Sequence, residues 1–296
     1  MNCALVSVII PTFNRKELLT RAVVSVLGQT YENLELIVVD DGSTDGTEEH
    51  LSSFKADGRF HYHYQENSGQ SVARNLGISQ ATGEIIAFLD SDNFWHKDKL
   101  KLQLAFWSRN KAFDIIYSEG MTVDLAGKVI SEGAPVTNRP SGSILKTLIT
   151  WNCVTNNTVL VPRRCFAEMG GFDDSLRIAE DFDLWLRFAT RYTFGFHPEK
   201  VVYYCVEGER LSAQEERNID VNIEIIENFR KAFPEAVSAW TFRKAMGNLI
   251  RWKNDTHWKR GSRPEMKAVL QSVVYNPSDQ RVWRHLVKSI LALARS

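Results

Sequence analysis

Three continuously apolar segments, separated by stretches of helical periodicity, constrain the fold of this chain more than any other feature. Residues 6–10, 34–39 and 85–89 have the composition of strands that are covered on both faces. Between them, residues 18–27 and 69–80 repeat apolar side chains at helical spacing. Right-handed crossovers join such strands in parallel. We therefore predict an α/β domain with a mostly parallel central sheet and helices on both of its faces.

Each of the three apolar segments stops on polar residues. These are Pro11, Thr12 and Asn14 after the first segment, Asp40 and Asp41 after the second, and Asp90 and Asp92 after the third. In open α/β sheets, ligands bind beyond the carboxyl ends of the strands. We therefore predict that these residues share one binding site.

Asp90 and Asp92 belong to the segment DSD, and two carboxylates this close cost free energy unless a cation lies beside them. Mn²⁺ or Mg²⁺ suits this position, because such ions take oxygen ligands and bridge to the oxygens of a diphosphate. We expect Asp92 to contact the metal, and Asp90 to hold a ribose or to support the site.

Two predicted helices contribute further charged candidates. Arg74, in the helix at 69–80, either reaches solvent or turns towards the strand ends, where a guanidinium can bind a base or a phosphate. Glu180, Asp181 and Asp183 begin a helix at 180–188, where acidic side chains either complement the helix dipole or serve a site. The residues by themselves leave both pairs of alternatives open.

Composition indicates a globular protein: the chain has 296 residues, of which 44% are hydrophobic and 24% charged. It has no run of about 18 apolar residues, so we predict no membrane-spanning helix. The first ten residues lack the basic leader of a secretory signal. The four cysteines form no CxxC pair. We therefore expect reduced thiols and a cytoplasmic protein.

The second half of the chain is less regular and then becomes helical. Residues 131–143 are rich in proline and glycine and indicate a loop, while 158–161 and 201–206 indicate strands. Beyond residue 212 the pattern indicates helices, with a break at 261–264.

The chain from residue 240 onward is basic, with twelve Lys and Arg residues against three Asp and Glu residues, although the whole chain has a formal net charge of zero. Within it, residues 281–296 place apolar side chains on one helical face and basic residues largely opposite. Such a helix either lies on an anionic membrane surface or packs against protein, as a docking helix or a dimer contact. Both interpretations stay open.

Five motifs occur in order along the chain: SVIIPTFNR, VVDDGSTD, GQSVARNLGI, IIAFLDSDNFW and AEDFDLWLR. In this order they resemble the glycosyltransferase family 2 enzymes over about residues 7–212, and the helical tail resembles those of bacterial members that build cell-surface polysaccharide. The resemblance implies a GT-A (nucleotide-diphospho-sugar transferase) fold, with a catalytic domain at 1–212 and a helical extension at 213–296. The nucleotide-binding half would span about 1–95 and the acceptor-binding half about 96–212.

Carried over by motif, the resemblance assigns roles to individual residues. Five would bind the nucleotide: Pro11, Thr12, Asn14 and, near the base, Asp40 and Arg74. Asp90 and Asp92 fall on the family's DxD motif, and Asp181 falls on the aspartate that takes the proton of the acceptor hydroxyl. Glu180 and Trp95 are candidate donor or acceptor contacts.

The sequence departs from the family pattern in two places. Asn93 stands where many relatives have a further aspartate. In the segment YYCVEGERLS, Cys205, Glu207 and Arg210 stand where relatives often carry an arginine, a histidine and a serine. Glu207 and Arg210 are therefore the candidate metal or diphosphate contacts at this end of the site.

Together these features predict an inverting, metal-dependent hexosyltransferase that moves a sugar from a nucleotide-sugar donor, with UDP favoured, to a saccharide or lipid-linked acceptor in cell-surface polysaccharide synthesis. We expect a cytoplasmic enzyme, or a peripheral one at the inner face of the plasma membrane, held through 281–296. Without GxGxxG after a strand, we expect no dinucleotide binding. Without interleaved basic and aromatic residues, we predict no nucleic-acid binding.

Two other functions stay open. An altered YYCVEGERLS segment is compatible with a non-catalytic nucleotide-sugar binding or assembly protein. A sugar-1-phosphate nucleotidyltransferase would share a related sheet, although its glycine-rich N-terminal signature is absent.

Overall fold

The structure is a computed structural model that describes residues 4–132, 139–206 and 212–293. Its contacts divide the chain into two compact units. The first, which we call the sheet unit, comprises Met1–Ile144 and Cys153–Glu207, and the second, the helical unit, comprises Leu145–Asn152 and Gly208–Ser296.

In chain order, the strands and helices are β1 (Val6–Thr12), α1 (Lys16–Leu27), β2 (Leu34–Asp40), α2 (Thr47–His50), β3 (Phe60–Tyr64), α3 (Gln70–Gln80), β4 (Ile85–Phe88), β5 (Phe94–Trp95), α4 (Lys99–Arg109), β6 (Ile115–Val123), β7 (Val129–Ser131), α5 (Leu145–Leu148), β8 (Val161–Pro162), α6 (Arg163–Met169), α7 (Glu180–Phe188), β9 (Phe194–Cys205), α8 (Ser212–Ala232), α9 (Ala239–Lys259), α10 (Met266–Tyr275) and α11 (Gln280–Leu293).

The main sheet of the sheet unit has the strand order β3-β2-β1-β4-β8. Its first four strands are parallel, and only the short β8 runs antiparallel to β4. This confirms the predicted mostly parallel sheet. Because the apolar segments of β1, β2 and β4 are buried throughout, their continuous hydrophobicity reflects cover on both faces.

Helices α1 and α3 supply this cover from opposite sides of β1. Val23 of α1 belongs to the same apolar core as Val8 and Ile10. Ile9, the residue between these two, points to the other face and packs against Gly77 of α3. The packing is so close that a Cβ added at Gly77 would lie 2.5 Å from the Cγ2 of Ile9. Successive strand residues alternate between faces, so the sheet is packed between the two helices.

A second sheet, with the order β5-β9-β6-β7, was not predicted. Strand β6 was missed, and β9 is twelve residues long where only 201–206 were expected. The strand predicted at 158–161 is displaced: a helical turn occupies Asn156–Thr158, Leu160 forms a bridge to Ile116, and β8 covers Val161–Pro162. Residues 133–138 of the predicted loop at 131–143 lie outside the described residues.

The helical unit contains α5 and α8 to α11. Ser238 caps α9 by accepting a hydrogen bond from the N–H of Thr241 at 3.1 Å. The predicted break at 261–264 separates α9 from α10, and Gly261 adopts the left-handed φ of 71° that ends α9. In the ranges that the structure describes, none of the helices combines the length and hydrophobicity needed to cross a membrane.

Candidate functional site

The carboxyl ends of β1, β2 and β4 lie side by side. Thr12 pairs with Asp40, and Leu89 extends β4 by donating its N–H to the carbonyl of Ile9 at 3.0 Å, directly before Asp90. A cleft of about 580 Å³ opens at this edge, a volume suited to a small-molecule ligand. Its lining comprises Pro11, Thr12, Phe13, Arg15, Asp41, Asn67, Gly69, Gln70, Asp90, Ser91 and Asp92.

A larger cavity of about 720 Å³ lies at the amino end of β4, between Ile85, Trp107 and Pro162. Its walls are mainly apolar, and its described lining includes none of the residues at the carboxyl ends of the strands. We therefore assign the functional site to the smaller, polar cleft, because ligands of open α/β sheets bind at that edge.

Arg74 is the centre of a buried charge network. Its Nη2 lies 2.7 Å from Oδ1 of Asp90, and its Nη1 pairs with Glu180. The side chain is only 3% exposed and lies 5.3 Å from the ring centroid of Phe172. Asn157 donates its Nδ2 to the other oxygen of Asp90 at 2.7 Å. Burial alone would lower the pKa of Arg74, but the two carboxylates raise it. The guanidinium therefore stays charged and pairs with both carboxylates.

Asp181 stands beside this network in the first turn of α7. Ala179, which precedes the helix, has a left-handed φ of 57°, which is uncommon for residues other than glycine. After this turn, Glu180 is buried in the network and Asp181 is half-buried. Burial, reinforced by the charge of Glu180, raises the pKa of Asp181 to about 7. This carboxyl can therefore exchange a proton near neutral pH.

The contacts of Asp183, in the same helix, are those of a residue that supports packing. It forms an ion pair with Arg187 at 2.9 Å, and Arg187 also donates to the carbonyls of Met169 and Gly171. These contacts hold α7 against the preceding loop, which favours a structural role of Asp183 over a role in a site.

Polar contacts join the loops that follow β1 and β2. Asn14, with a left-handed φ of 51°, accepts a hydrogen bond from the N–H of Thr44 at 2.8 Å and donates its own N–H to Oγ of Ser43 at 2.8 Å. Asp40 is buried and accepts from the N–H of Ser43 at 2.8 Å and from the hydroxyl of Tyr62 at 2.6 Å. The two loops therefore hold each other in place.

Asp41 organises another wall of the cleft. Its carboxylate accepts hydrogen bonds from the N–H groups of Ser68 and Gly69, each at 2.8 Å, and from the side chain of Gln65 at 2.7 Å. Gly69 has a φ of 98°, a conformation that favours glycine. On the floor of the cleft, Thr12 is buried, and its Oγ1 has no hydrogen-bond partner among the described residues.

Asp92 lies at the mouth of the cleft, where Nη1 of Arg15 approaches its Oδ2 to 2.5 Å. Burial and the charge of Asp90 raise the pKa of Asp92, while Arg15 opposes this shift. Added positive charge would therefore stabilise the ionised carboxylate.

The donor set at this point fits Mn²⁺ or Mg²⁺. Such ions need one or two protein carboxylates when phosphate oxygens and water complete the shell, and Asp92 beside Asp90 provides them. Across residues 4–132, 139–206 and 212–293, no group of three or more His, Cys, Asp or Glu side chains could hold a metal ion alone.

Some residues at the site carry no signal in the sequence. Gln70 donates to Glu180 at 2.8 Å, and like Arg15 it lies inside a recognised motif without an assigned role. Asn157 has no motif around it. Trp95, a candidate donor or acceptor contact, is 3% exposed and donates its Nε1–H to the carbonyl of Asn157 at 3.1 Å. In the structure it therefore supports the segment that holds Asp90.

The two departures from the family pattern meet in space. The N–H of Cys205 donates to Oδ1 of Asn93 at 3.0 Å, and Arg21 donates its Nη2 to the sulfur of Cys205 at 2.7 Å. Glu207 and Arg210, the candidate contacts at this end, lie outside the described residues.

A mostly parallel sheet with a polar, acidic cleft at its carboxyl edge defines an α/β protein that carries its ligand site at that edge. The model of glycosyl transferase family 2 matches residues 7–165, and the chain belongs to this family. The mannosyltransferase PcManGT from Pyrobaculum calidifontis, in complex with GDP-Man and Mn²⁺, has a TM-score of 0.66 at 19% identity, covering 97% of this chain and 80% of that chain. S. aureus TarS 1–349, in complex with UDP-GlcNAc, has a TM-score of 0.61 at 19% identity, with 92% and 90% covered. These likenesses confirm the GT-A fold.

Two relatives extend the comparison at the level of sequence. An uncharacterised glycosyltransferase of Rickettsia felis is 37% identical over 190 residues, which are 64% of this chain and 31% of the relative. The putative teichuronic acid biosynthesis glycosyltransferase TuaG of Bacillus subtilis is 50% identical over 104 residues, which are 34% of this chain and 41% of TuaG. The chain thus spans less than half of the length of either relative.

Proposed function

We propose that this chain is an inverting, metal-dependent glycosyltransferase of the hexosyltransferase type, which uses a nucleotide-sugar donor with UDP favoured. The observation that carries the proposal is Asp181, with its pKa raised to about 7, beside the DSD carboxylates at the carboxyl edge of the sheet. The complexes of PcManGT and TarS support a nucleotide-sugar donor. The name of TuaG supports a saccharide or lipid-linked acceptor in cell-surface polysaccharide synthesis.

The nucleotide occupies the cleft beside β1 and β2 in this proposal. Thr12 supports it most directly, because a buried hydroxyl without a partner at the cleft floor gains a hydrogen bond when a ligand enters. Pro11 shapes the same wall. Asn14 and Asp40 hold the adjoining loops, and Asp40 lies towards the base.

The diphosphate and the metal lie at the DSD segment. Asp92 would hold Mn²⁺ or Mg²⁺, which when bound neutralises charge on the departing diphosphate. Asp90 supports the ribose or the metal from a position fixed by Arg74 and Asn157. Because its guanidinium is already paired with Asp90 and Glu180, Arg74 acts on the nucleotide by positioning these carboxylates.

Asp181 performs the proton transfer. The acceptor hydroxyl oxygen forms a bond to the anomeric carbon as the bond from that carbon to the diphosphate oxygen breaks, and the hydroxyl proton passes to the carboxylate of Asp181. One displacement inverts the configuration. The carboxylate must be ionised to accept the proton, so the reaction requires a pH near or above the raised pKa of Asp181.

We also propose that α11 rests on an anionic membrane surface. Val282, His285 and Ser289 are its buried side, so Val282 does not share the exposure of the other apolar side chains. Four apolar side chains are instead exposed by 46–56%: Trp283, Val287, Ile290 and Leu291. Arg284 and Lys288 are exposed beside them, and an apolar band with an adjacent basic edge complements an anionic bilayer.

Vesicle flotation tests this placement. The protein should float with vesicles that contain phosphatidylglycerol and much less with pure phosphatidylcholine, and Trp283→Ser should abolish the difference. Ile130→Ser, which removes an apolar side chain that is 59% exposed from the sheet unit, should have no effect. Equal flotation of wild type and Trp283→Ser would refute the placement and favour packing against protein.

A thermal-shift panel of nucleotide sugars, with and without Mn²⁺, tests the donor class, because a ligand of the folded state raises its stability. We expect the largest shift with a UDP-sugar and Mn²⁺, and release of UDP on addition of acceptor. Stabilisation without transfer or hydrolysis across donors and acceptors would favour a binding protein instead. Exchange of pyrophosphate with a nucleoside triphosphate would favour a nucleotidyltransferase, and no shift with any nucleotide would refute the proposal.

A further inference from the structure

We propose that Arg15 is an exchangeable counter-ion: it neutralises Asp92 while the cleft is empty and moves to the donor diphosphate when metal and donor bind together. This inference rests on the proposed function, because it assigns a positioning residue within the same site. Arg15 lies in the motif SVIIPTFNR but has no role in the assignments above.

The main chain at Arg15 is held while its side chain is exposed. The preceding Asn14 is hydrogen-bonded to the loop after β2, and the carbonyl of Arg15 accepts the N–H of Leu19 at 2.9 Å in the first turn of α1. The side chain is 41% exposed and lines the cleft beside Asp92. The guanidinium can therefore change partner by side-chain rotation alone.

The two arginines of the cleft differ in how firmly they are bound. Arg74 is 3% exposed and pairs with two carboxylates. Arg15 has a single ion pair in the described part of the chain, to a carboxylate that is itself 32% exposed. Exposed pairs of this kind contribute little free energy, so the pair between Arg15 and Asp92 can be exchanged.

Charge balance determines when the exchange occurs. In the empty cleft, Arg15 pairs with the carboxylate of Asp92, while Arg74 is shared between Asp90 and Glu180. A divalent cation that arrives alone at Asp92 adds two positive charges and displaces or repels the guanidinium of Arg15. A cation that arrives with a diphosphate brings compensating negative charge, and the phosphate oxygens accept the charge-assisted hydrogen bonds that Arg15 gives up.

Arg15 therefore couples the two binding events. It weakens binding of metal alone and strengthens binding of metal with the nucleotide, so the two ligands should bind cooperatively. The enzyme would take up its metal together with the donor, and Asp92 would not hold Mn²⁺ in the absence of a diphosphate.

Measurement of free Mn²⁺ by electron paramagnetic resonance tests this coupling without a turnover assay. Mn²⁺ is titrated into wild type, Arg15→Ala and Arg15→Lys, each with and without saturating UDP. In Arg15→Ala, Mn²⁺ alone should bind about two- to fivefold more tightly. With UDP present, Mn²⁺ should bind about tenfold more weakly, because a charge-assisted hydrogen bond to phosphate is lost. The Mn²⁺ affinities of Arg15→Lys should lie between those of wild type and Arg15→Ala.

Arg164→Ala is the matched control, because it also removes one exposed arginine. Arg164 lies outside the cleft and pairs with Asp114 at 3.1 Å. It should change neither titration. If Arg15→Ala leaves the ratio of the two Mn²⁺ affinities unchanged, or weakens binding of Mn²⁺ alone, the exchange is refuted. If wild type binds no UDP, the proposed function fails, whereas the titration of Mn²⁺ alone still tests competition at Asp92. Arg15→Gln replaces Arg15→Ala if the alanine variant does not fold.

Discussion

Replacement of Asp181 by asparagine removes a carboxyl group that is costly to ionise in the folded protein. Its pKa is raised from an ordinary value of 3.8 to about 7, first by burial and then by the charge of Glu180. The unfolded chain ionises this group at its ordinary pKa, so the wild-type protein loses stability as the pH rises from about 4 to about 7. Asp181→Asn should recover that stability while it abolishes proton transfer.

The magnitude follows from the pKa shift. The shift is about three pKa units, and at about 1.36 kcal/mol per unit the upper bound is about 4 kcal/mol. Asp181 is half-buried, so solvent screens part of this cost. We expect Asp181→Asn to stabilise the fold by about 1–3 kcal/mol at pH 8 and by about zero below pH 4.

Two measurements check this prediction. Urea unfolding of both proteins at pH 4, 6 and 8 should give a difference that grows with pH. Initial rates should show a fall in wild-type activity as the pH drops below about 7, and Asp181→Asn should reduce kcat by about 10²–10⁴-fold, the usual contribution of a positioned base. Binding of UDP with Mn²⁺ should be retained.

Asp183→Asn is the control, because it makes the same chemical change in the same helix. It breaks the ion pair with Arg187 and should slightly destabilise the protein without abolishing activity. The reasoning is refuted if Asp181→Asn keeps metal-dependent UDP release, or if its effect on stability is the same at pH 4 and pH 8.

Three further changes test the packing of the sheet unit. Arg74→Ala leaves the buried carboxylate of Glu180, and that of Asp90, which is 33% exposed, without their cation, and should cost about 3–5 kcal/mol in urea unfolding; a loss below about 1 kcal/mol would mean that the network is dispensable. Lys99→Met should raise the melting temperature at pH 7 more than at pH 10. Lys99 is fully buried, and burial lowers its pKa well below the ordinary value. Its protonation therefore opposes folding, and more strongly at the lower pH. Gly83→Ala places a Cβ 2.6 Å from the carbonyl oxygen of Leu5 and should cost about 1–3 kcal/mol, whereas unchanged stability would show that the main chain moves there freely.

The main sheet could be predicted because its signal is local. Strands buried on both faces are continuously apolar, and the polar residues that end them fall at one edge whatever the details of the loops. Strand β6 carries the segment IIYSEGMTV, in which only the first three residues form a continuous apolar run. Strand β9 contains Pro198 and Glu199. Neither strand resembles the pattern of a covered strand, so the second sheet was missed.

The charge network could not be predicted, because it depends on distant partners. Arg74 and Glu180 are separated by 106 positions in the chain, and the residues alone left Arg74 free to face solvent. Asn157 lies in a segment without a motif. Likewise, helical periodicity placed the apolar side chains of α11 on one face, but only the packing determined that Val282 turns inward and Trp283 outward.

The sharing of Arg74 between two carboxylates has a consequence for how this site can change in evolution. Asp90 follows a central strand and Glu180 begins a helix far along the chain, yet both depend on one guanidinium. A lineage that substitutes Arg74 must neutralise both acids at nearly the same time, because each intermediate would carry an uncompensated buried charge. We therefore expect substitutions at these three positions to be coupled, and divergence in donor or acceptor choice to arise in the loops around them.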